Sequence, residues 1–189
     1  MTKNIRDILR EADEAGVWAF TPSSFAALRG EPDNGYQRVL LTRLVDQGVL
    51  HRVTKGVYVN ASARSRPTDP RLDLVPYLRP GEISYVSLET RLSEAGAISQ
   101  ISHALTLMTT GNGYSYETPW GIVEFTHTSR KDLLDEGIEF REDSPVPFAT
   151  VERAYKDLRR VGRNVDLVDE ETLADIIREE ADERQDFRP

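Results

Sequence analysis

The sequence predicts an α+β chain in two parts, and three observations carry that expectation. Apolar residues recur at helical spacing in three separate runs before residue 48, each closed by a glycine. A short hairpin pattern follows at once, and then a stretch at 61–80 dense in proline and arginine. Beyond it, short strand patterns alternate with helices, which is the signature of an α+β domain. The domain boundaries expected from this are 1–62, a linker at 63–80, and 81–189, the last a mixed α+β domain with antiparallel strands.

Each element has a local reason. Ile5, Ile8, Leu9 and Ala12 share one face of a first helix over residues 4–15, stopped by Gly16. Val17, Trp18 and Phe20 form an apolar link. Thr21 then caps a second helix with Pro22 at its first position, where a missing N–H costs nothing. Phe25, Ala26 and Leu28 are its expected inward side, and Gly30 ends it. A third helix, capped by Asp33 or Asn34, runs through Tyr36, Val39, Leu40, Leu44 and Val45 to Gly48. Residues 49–59 read as a hairpin turning at Lys55-Gly56. Residues 72–78 suggest a short helical stretch inside the linker. Farther on, Ser87 is the expected cap of a helix to Ala95, and residues 104–110 a strand. A hairpin turns at Pro119-Trp120, and a short strand covers 138–140. Thr150 caps a helix over 151–161, whose end carries Arg159, Arg160 and Arg163 beside the helix dipole. Asp169 caps a final acidic helix from Glu170 to about Glu183, docked by Leu173, Ile176 and Ile177, with residues 185–189 frayed.

The net charge of −8 is unevenly placed, and its distribution matters more than its value. Residues 1–62 carry eight basic and seven acidic side chains, whereas 133–189 carry nine basic and seventeen acidic. Within 34–66, Arg38, Arg43, Arg52, Lys55, Arg64 and Arg66 stand against a single acid, Asp46. A local excess of that kind suits docking on phosphates. A solvated basic face would produce the same run.

Helix, helix, helix, hairpin within about 60 residues is the order of a winged helix-turn-helix, with Phe25, Leu28, Leu40 and Leu44 expected to hold the second and third helices together. On this reading Tyr36, Gln37, Arg38, Thr42 and Arg43 face double-stranded DNA from the recognition helix. Gln and Arg carry the paired donors and acceptors that base edges require. Arg52 and Lys55 would meet phosphates from the wing, and Arg64 and Arg66 would either follow the DNA or belong to a plain linker. A protein-docking role for such a module is the competing expectation.

From Ile83 onward the segments ISYVSLETRLSEAGAIS, LTLMTTG, ETPWGIVEFTHT and FATVERAYKDL, in that order behind the N-terminal helices and hairpin, resemble the AbiEi antitoxins of bacterial abortive-infection, type IV toxin–antitoxin systems. The resemblance implies a repressor that binds repeats in its own promoter and counteracts a partner toxin of the nucleotidyltransferase class, without a tight complex between the two. The approach to the third helix, Glu31-Pro32-Asp33-Asn34-Gly35, is longer and more turn-like than the resemblance implies.

Enzyme chemistry has little behind it, so the chain is expected not to be an enzyme and to need no cofactor. There are no cysteines, which removes thiol nucleophiles and zinc ribbons, and His51, His103 and His127 lack metal-ligand spacing. Gly111-Asn112-Gly113 reads as a hairpin loop rather than a phosphate cradle. Glu89 and Glu124 could pair as acid and base, but a surface role for each is the simpler expectation. Glu89, Arg91, His103, Thr109, Thr110 and His127 form a candidate polar surface, and an effector-responsive regulator that binds a small molecule there is the alternative function. Tyr116 and Trp120 read as hairpin packing. No apolar run approaches a membrane span and the N-terminal segment is no signal peptide, so a cytoplasmic chain with no membrane partner is expected. Repeated operator sites would suit a dimer on DNA, although no heptad run marks a dimer seam.

Overall fold

The computed structural model describes residues 4–130 and 137–186, the last four of these by backbone alone, so residues 187–189 of the expected frayed end lie outside the described residues. The chain divides into two compact units: one holds the residues up to Pro70 together with Thr118–Trp120, and the other holds the rest from Arg71. Both mix helix and strand, and the α+β class expected from the sequence holds. The stretch expected as linker is split at Pro70, because α4 (Arg71–Leu78) buries Leu74, Val75 and Leu78 within the second unit.

In the first unit α1 (Ile5–Glu14) starts at Asn4, whose side chain accepts from the Arg6 backbone N–H, and it buries Ile8, Leu9 and Ala12. The apolar link proves to be a strand, β1 (Ala19–Phe20). α2 (Pro22–Leu28) begins with a reciprocal capping box between Thr21 and Ser24. α3 (Gly35–Asp46) is capped by Asn34, whose Oδ1 accepts from the Tyr36 N–H at 3.0 Å. β2 (Leu50–Thr54) and β3 (Val57–Asn60) flank Lys55-Gly56, and Gly56 takes φ 84°, which the tight turn requires. The three strands form an antiparallel sheet in the order β1-β3-β2, with Ala19 opposite Val59 and Phe20 opposite Tyr58. Leu9, Phe20, Phe25, Leu41, Leu44, Leu50 and Tyr58 fill the core, where Phe20 and Phe25 meet edge to face at 5.8 Å. Leu28, expected inward, is 39% exposed, whereas Leu41 is fully buried in the core.

The second unit is built on a six-stranded sheet. Its strands are β4 (Ser84–Val86), β5 (Ala104–Thr109), β6 (Tyr114–Thr118), β7 (Gly121–His127), β8 (Ile138–Glu139) and β9 (Phe148–Ala149), in the order β6-β7-β5-β4-β9-β8. The strands were expected to be antiparallel, but the sheet is mixed: β5 pairs with β7 and β4 with β9 in parallel, while β4–β5 and β8–β9 are antiparallel. β7 inserts between β5 and β6, so β5 has a strand on either side, and its residues 105–109 are all buried. Gly111-Asn112-Gly113 therefore joins strands that are not neighbours, and the hairpin-loop expectation is corrected.

α5 (Leu88–Glu94), α6 (Val151–Val161) and α7 (Glu170–Asp186) complete this unit. Leu88, Leu92, Met108, Ala154, Leu158 and Leu173 join Tyr85 in its core. Thr150 caps α6 by accepting from the Arg153 N–H at 3.2 Å, as its position in the sequence implies. Among the described residues no helix is long and apolar enough to cross a membrane.

Candidate nucleic-acid interface

The outward face of α3 follows from what its inward face must cover. Gln37, Leu41 and Leu44, spaced i, i+4, i+7, are the buried residues of this helix. That registers Tyr36, Arg38, Val39, Thr42, Arg43 and Asp46 to the exposed side, with Tyr36 56% and Val39 49% exposed. Tyr36, Arg38, Thr42 and Arg43 thus all lie on the exposed side of α3. Thr42 bonds back to the helix, its hydroxyl donating to the Arg38 carbonyl at 3.0 Å, which leaves the hydroxyl oxygen free to accept.

Gln37 is a correction. It is only 1% exposed, its Oε1 accepts from an Arg29 Nη1 at 2.8 Å, and its Nε2 donates to the Pro32 carbonyl at 3.4 Å. Both ends of the amide are spent on the α2–α3 connection, so it cannot read a base edge. It holds in place the Glu31–Gly35 approach instead. The signal for this was present in the spacing to Leu41 and Leu44, but a glutamine in that register resembles a surface residue.

In the β2–β3 hairpin, Arg52 and Lys55 are exposed, as is His51. His51 and Arg52 pair regularly with Val59 and Tyr58 on the edge strand β2, and the strand register shifts just beyond them, between Arg52 and Thr54. Arg52 Nε donates to the Thr54 carbonyl at 3.2 Å, which steadies the guanidinium near the turn. Just past β3, Asp13 of α1 gathers the chain. Its carboxylate accepts from the Arg64 N–H at 2.9 Å, from the Ser65 N–H at 2.9 Å and from the Ser65 hydroxyl at 2.6 Å. These donors hold the Asp13 carboxyl below its ordinary range, the Arg64 N–H most of all. Arg64 itself stays exposed and Arg66 is half-buried.

The polar residues singled out in the second unit do not form one surface. Glu89 and His103 line a cleft of about 270 Å³ together with Glu124, Arg163 and Asn164. Glu89 and Glu124 are bridged by one arginine: Arg163 grips Glu89 with two hydrogen bonds of 2.9 and 3.0 Å, and its Nη1 pairs with Glu124. Arg163 lies past the left-handed Gly162 that ends α6, so it is not part of the helix end where the sequence placed it. Arg91 is buried, donating to the Ala149 carbonyl at 2.8 Å and pairing with Glu180 of α7. Thr109 is buried against Ser84, and His127 Nδ1 meets the Gly111 carbonyl at 2.8 Å. Tyr116 packs edge-on against Tyr114 and Phe125, as hairpin packing requires.

One cluster escaped the sequence reading altogether. Asp157 of α6 is fully buried and accepts from the Tyr85 hydroxyl at 2.8 Å and the Ser87 hydroxyl at 3.0 Å. The guanidinium groups of Arg130, Arg153 and Arg160 surround it at 3.4, 3.7 and 3.9 Å. Burial first, and then the Asp157 charge, push the Tyr85 phenol up to about 12. Ser87 stands at the N-cap of α5 as expected, yet its hydroxyl serves Asp157 and caps nothing. No family model matches the chain, and no curated protein matches its sequence.

Proposed function

We propose that this chain is a DNA-binding transcriptional repressor whose first unit is a winged helix-turn-helix, and that the protein is the antitoxin of a type IV toxin–antitoxin system. The observation that carries the DNA-binding half is the exposed face of α3, where Arg38, Thr42 and Arg43 stand together. Three helices and a small antiparallel sheet, whose β2–β3 hairpin follows α3 and exposes Arg52 and Lys55, support the same reading. In that geometry α3 enters a major groove with its N-terminal turns toward the base edges, and the β2–β3 turn meets backbone phosphates. The antitoxin half rests on the resemblance of the second unit's segments to AbiEi antitoxins. Its partner is a toxin of the nucleotidyltransferase class, counteracted without a stable complex.

The test is fluorescence anisotropy on a labelled duplex from the region upstream of the gene, titrated at several salt concentrations beside scrambled DNA. Affinity should fall with salt at a log–log slope of about −0.9 per phosphate contacted, and Lys55→Ala should shallow the slope by about one contact. Arg38→Ala should cost about 1–3 kcal/mol if this side chain reads a base. Equal binding of operator and scrambled DNA would make the first unit a protein-docking module. Rescue of growth on co-expression with the toxin tests the second half.

A second reading is favoured by one feature, the cleft lined by Glu89, His103, Glu124 and Arg163. An effector-responsive regulator would bind a small polar ligand there, and that ligand would raise the melting temperature while weakening operator binding.

A further inference from the structure

The exposed face of α3 carries an apolar side chain that folding does not explain. Val39 is 49% exposed, in the N-terminal half of a helix that runs from Gly35 to Asp46. At 3.6 residues per turn it falls near the middle of the exposed arc, with Arg38 and Thr42 on one side and Arg43 and Tyr36 on the other. The core beneath α3 is already filled by Leu41 and Leu44, so Val39 adds nothing to it. A β-branched residue is also a poor helix former where packing does not reward it. Val39 stands between Arg38, Thr42 and Arg43, and even with the neighbouring Tyr36 it makes too small an apolar patch to seat a protein partner. It matches the one apolar feature that a major groove presents, the 5-methyl group of thymine.

We propose that Val39 reads thymine through its methyl group and so sets an A·T pair at the centre of each site this protein binds. The inference rests on the DNA-binding reading above. An isopropyl group has no donor or acceptor, so it can discriminate only by contact and by exclusion of water. Arg38, one step around the helix, offers the paired donors that suit guanine, so the valine and the arginine divide the reading of neighbouring base pairs. Thymine and not cytosine is then demanded at the valine's position, because cytosine presents an amino group there and lacks the methyl.

The experiment uses the full chain and a duplex selected by it from a random library. Each thymine of the selected sequence is replaced singly by uracil, which deletes the methyl and preserves every hydrogen bond. One position should weaken binding by about three- to fivefold, the expected loss for one buried methyl. Val39→Ala should bind the thymine and uracil duplexes equally, whereas Arg38→Ala should keep the preference for thymine. If wild type binds the selected sequence specifically but tolerates uracil everywhere, the assignment of Val39 is overturned and DNA binding stands. The same holds if Val39→Ala retains the full preference, since another side chain would then read the methyl. If no sequence is enriched at all, the DNA-binding reading fails and this inference with it.

Discussion

Gln37 and Asp157 show how far a single side chain's role depends on its neighbours. Gln37 locks Arg29 and the Pro32 carbonyl, so Gln37→Ala should destabilise the protein by about 1–2 kcal/mol and take a hydrogen-bond partner from the half-buried Arg29 guanidinium. By loosening the approach to α3 it should weaken binding to all DNA sequences alike, whereas loss of Arg38 should relax specificity; chemical denaturation and anisotropy together separate the two. Asp157 answers three guanidinium groups from a fully buried position. Asp157→Ala should cost about 3–5 kcal/mol, a large share of a normal domain's stability, and urea unfolding would report it. Asp13 adds a pH dependence. Its carboxyl is held below its ordinary range in the folded chain, so its contribution is present at neutral pH and is lost as pH falls through the folded value. Between pH 7 and pH 3, Asp13→Asn should therefore lose less stability than wild type when melting is followed at each pH. Asp157 was not legible beforehand as a buried group, and Gln37 only through its spacing to Leu41 and Leu44. Polar and charged residues are usually exposed, and the partners of Asp157 lie up to 72 residues away in the chain.

Elements were read more reliably than residues, because capping and spacing are local. Asn34, Thr21 and Thr150 cap the helices that their positions imply. Thr150→Ala should cost about 1 kcal/mol through loss of that cap, measurable by thermal melting. The final acidic helix is docked by Leu173, with Ile176 and Ile177 partly buried, as the apolar stripe suggests. What the stripe did not reveal is Glu180, which pairs with buried Arg91 and accepts from the Val151 N–H at 3.0 Å, so α7 also holds the first turn of α6. β1 was missed because two residues are too few for a periodicity, and only pairing with β3 makes Ala19 and Phe20 a strand. Ser87 was assigned a cap because Ser before an apolar run normally is one, but a buried carboxylate outcompeted the helix N–H for its hydroxyl.

Across the whole molecule, charge separates along the chain. Residues 1–70 carry ten basic and eight acidic side chains, against a total of −8 for the full sequence. If the first unit is the DNA-binding part, a fragment of residues 1–70 should bind scrambled duplex more tightly than the full chain at low salt. The difference should shrink as salt screens the acidic remainder. Equal affinities at low salt would mean that the acidic segment has no effect on DNA approach.

The sequence by itself determined the α+β class, the order of the helices and the β2–β3 turn, and the exposed basic positions Arg38, Arg43, Arg52 and Lys55. Those features depend on side-chain periodicity, caps and glycine turns, all of which act within a few residues. Only the tertiary structure decided that Gln37 faces inward, that β5 and β7 run parallel, that Arg163 joins Glu89 to Glu124, and that Asp157 is buried among arginines. Each of these depends on which distant segment arrives to complete a sheet, a core or a hydrogen bond, and local pattern carries no record of that choice.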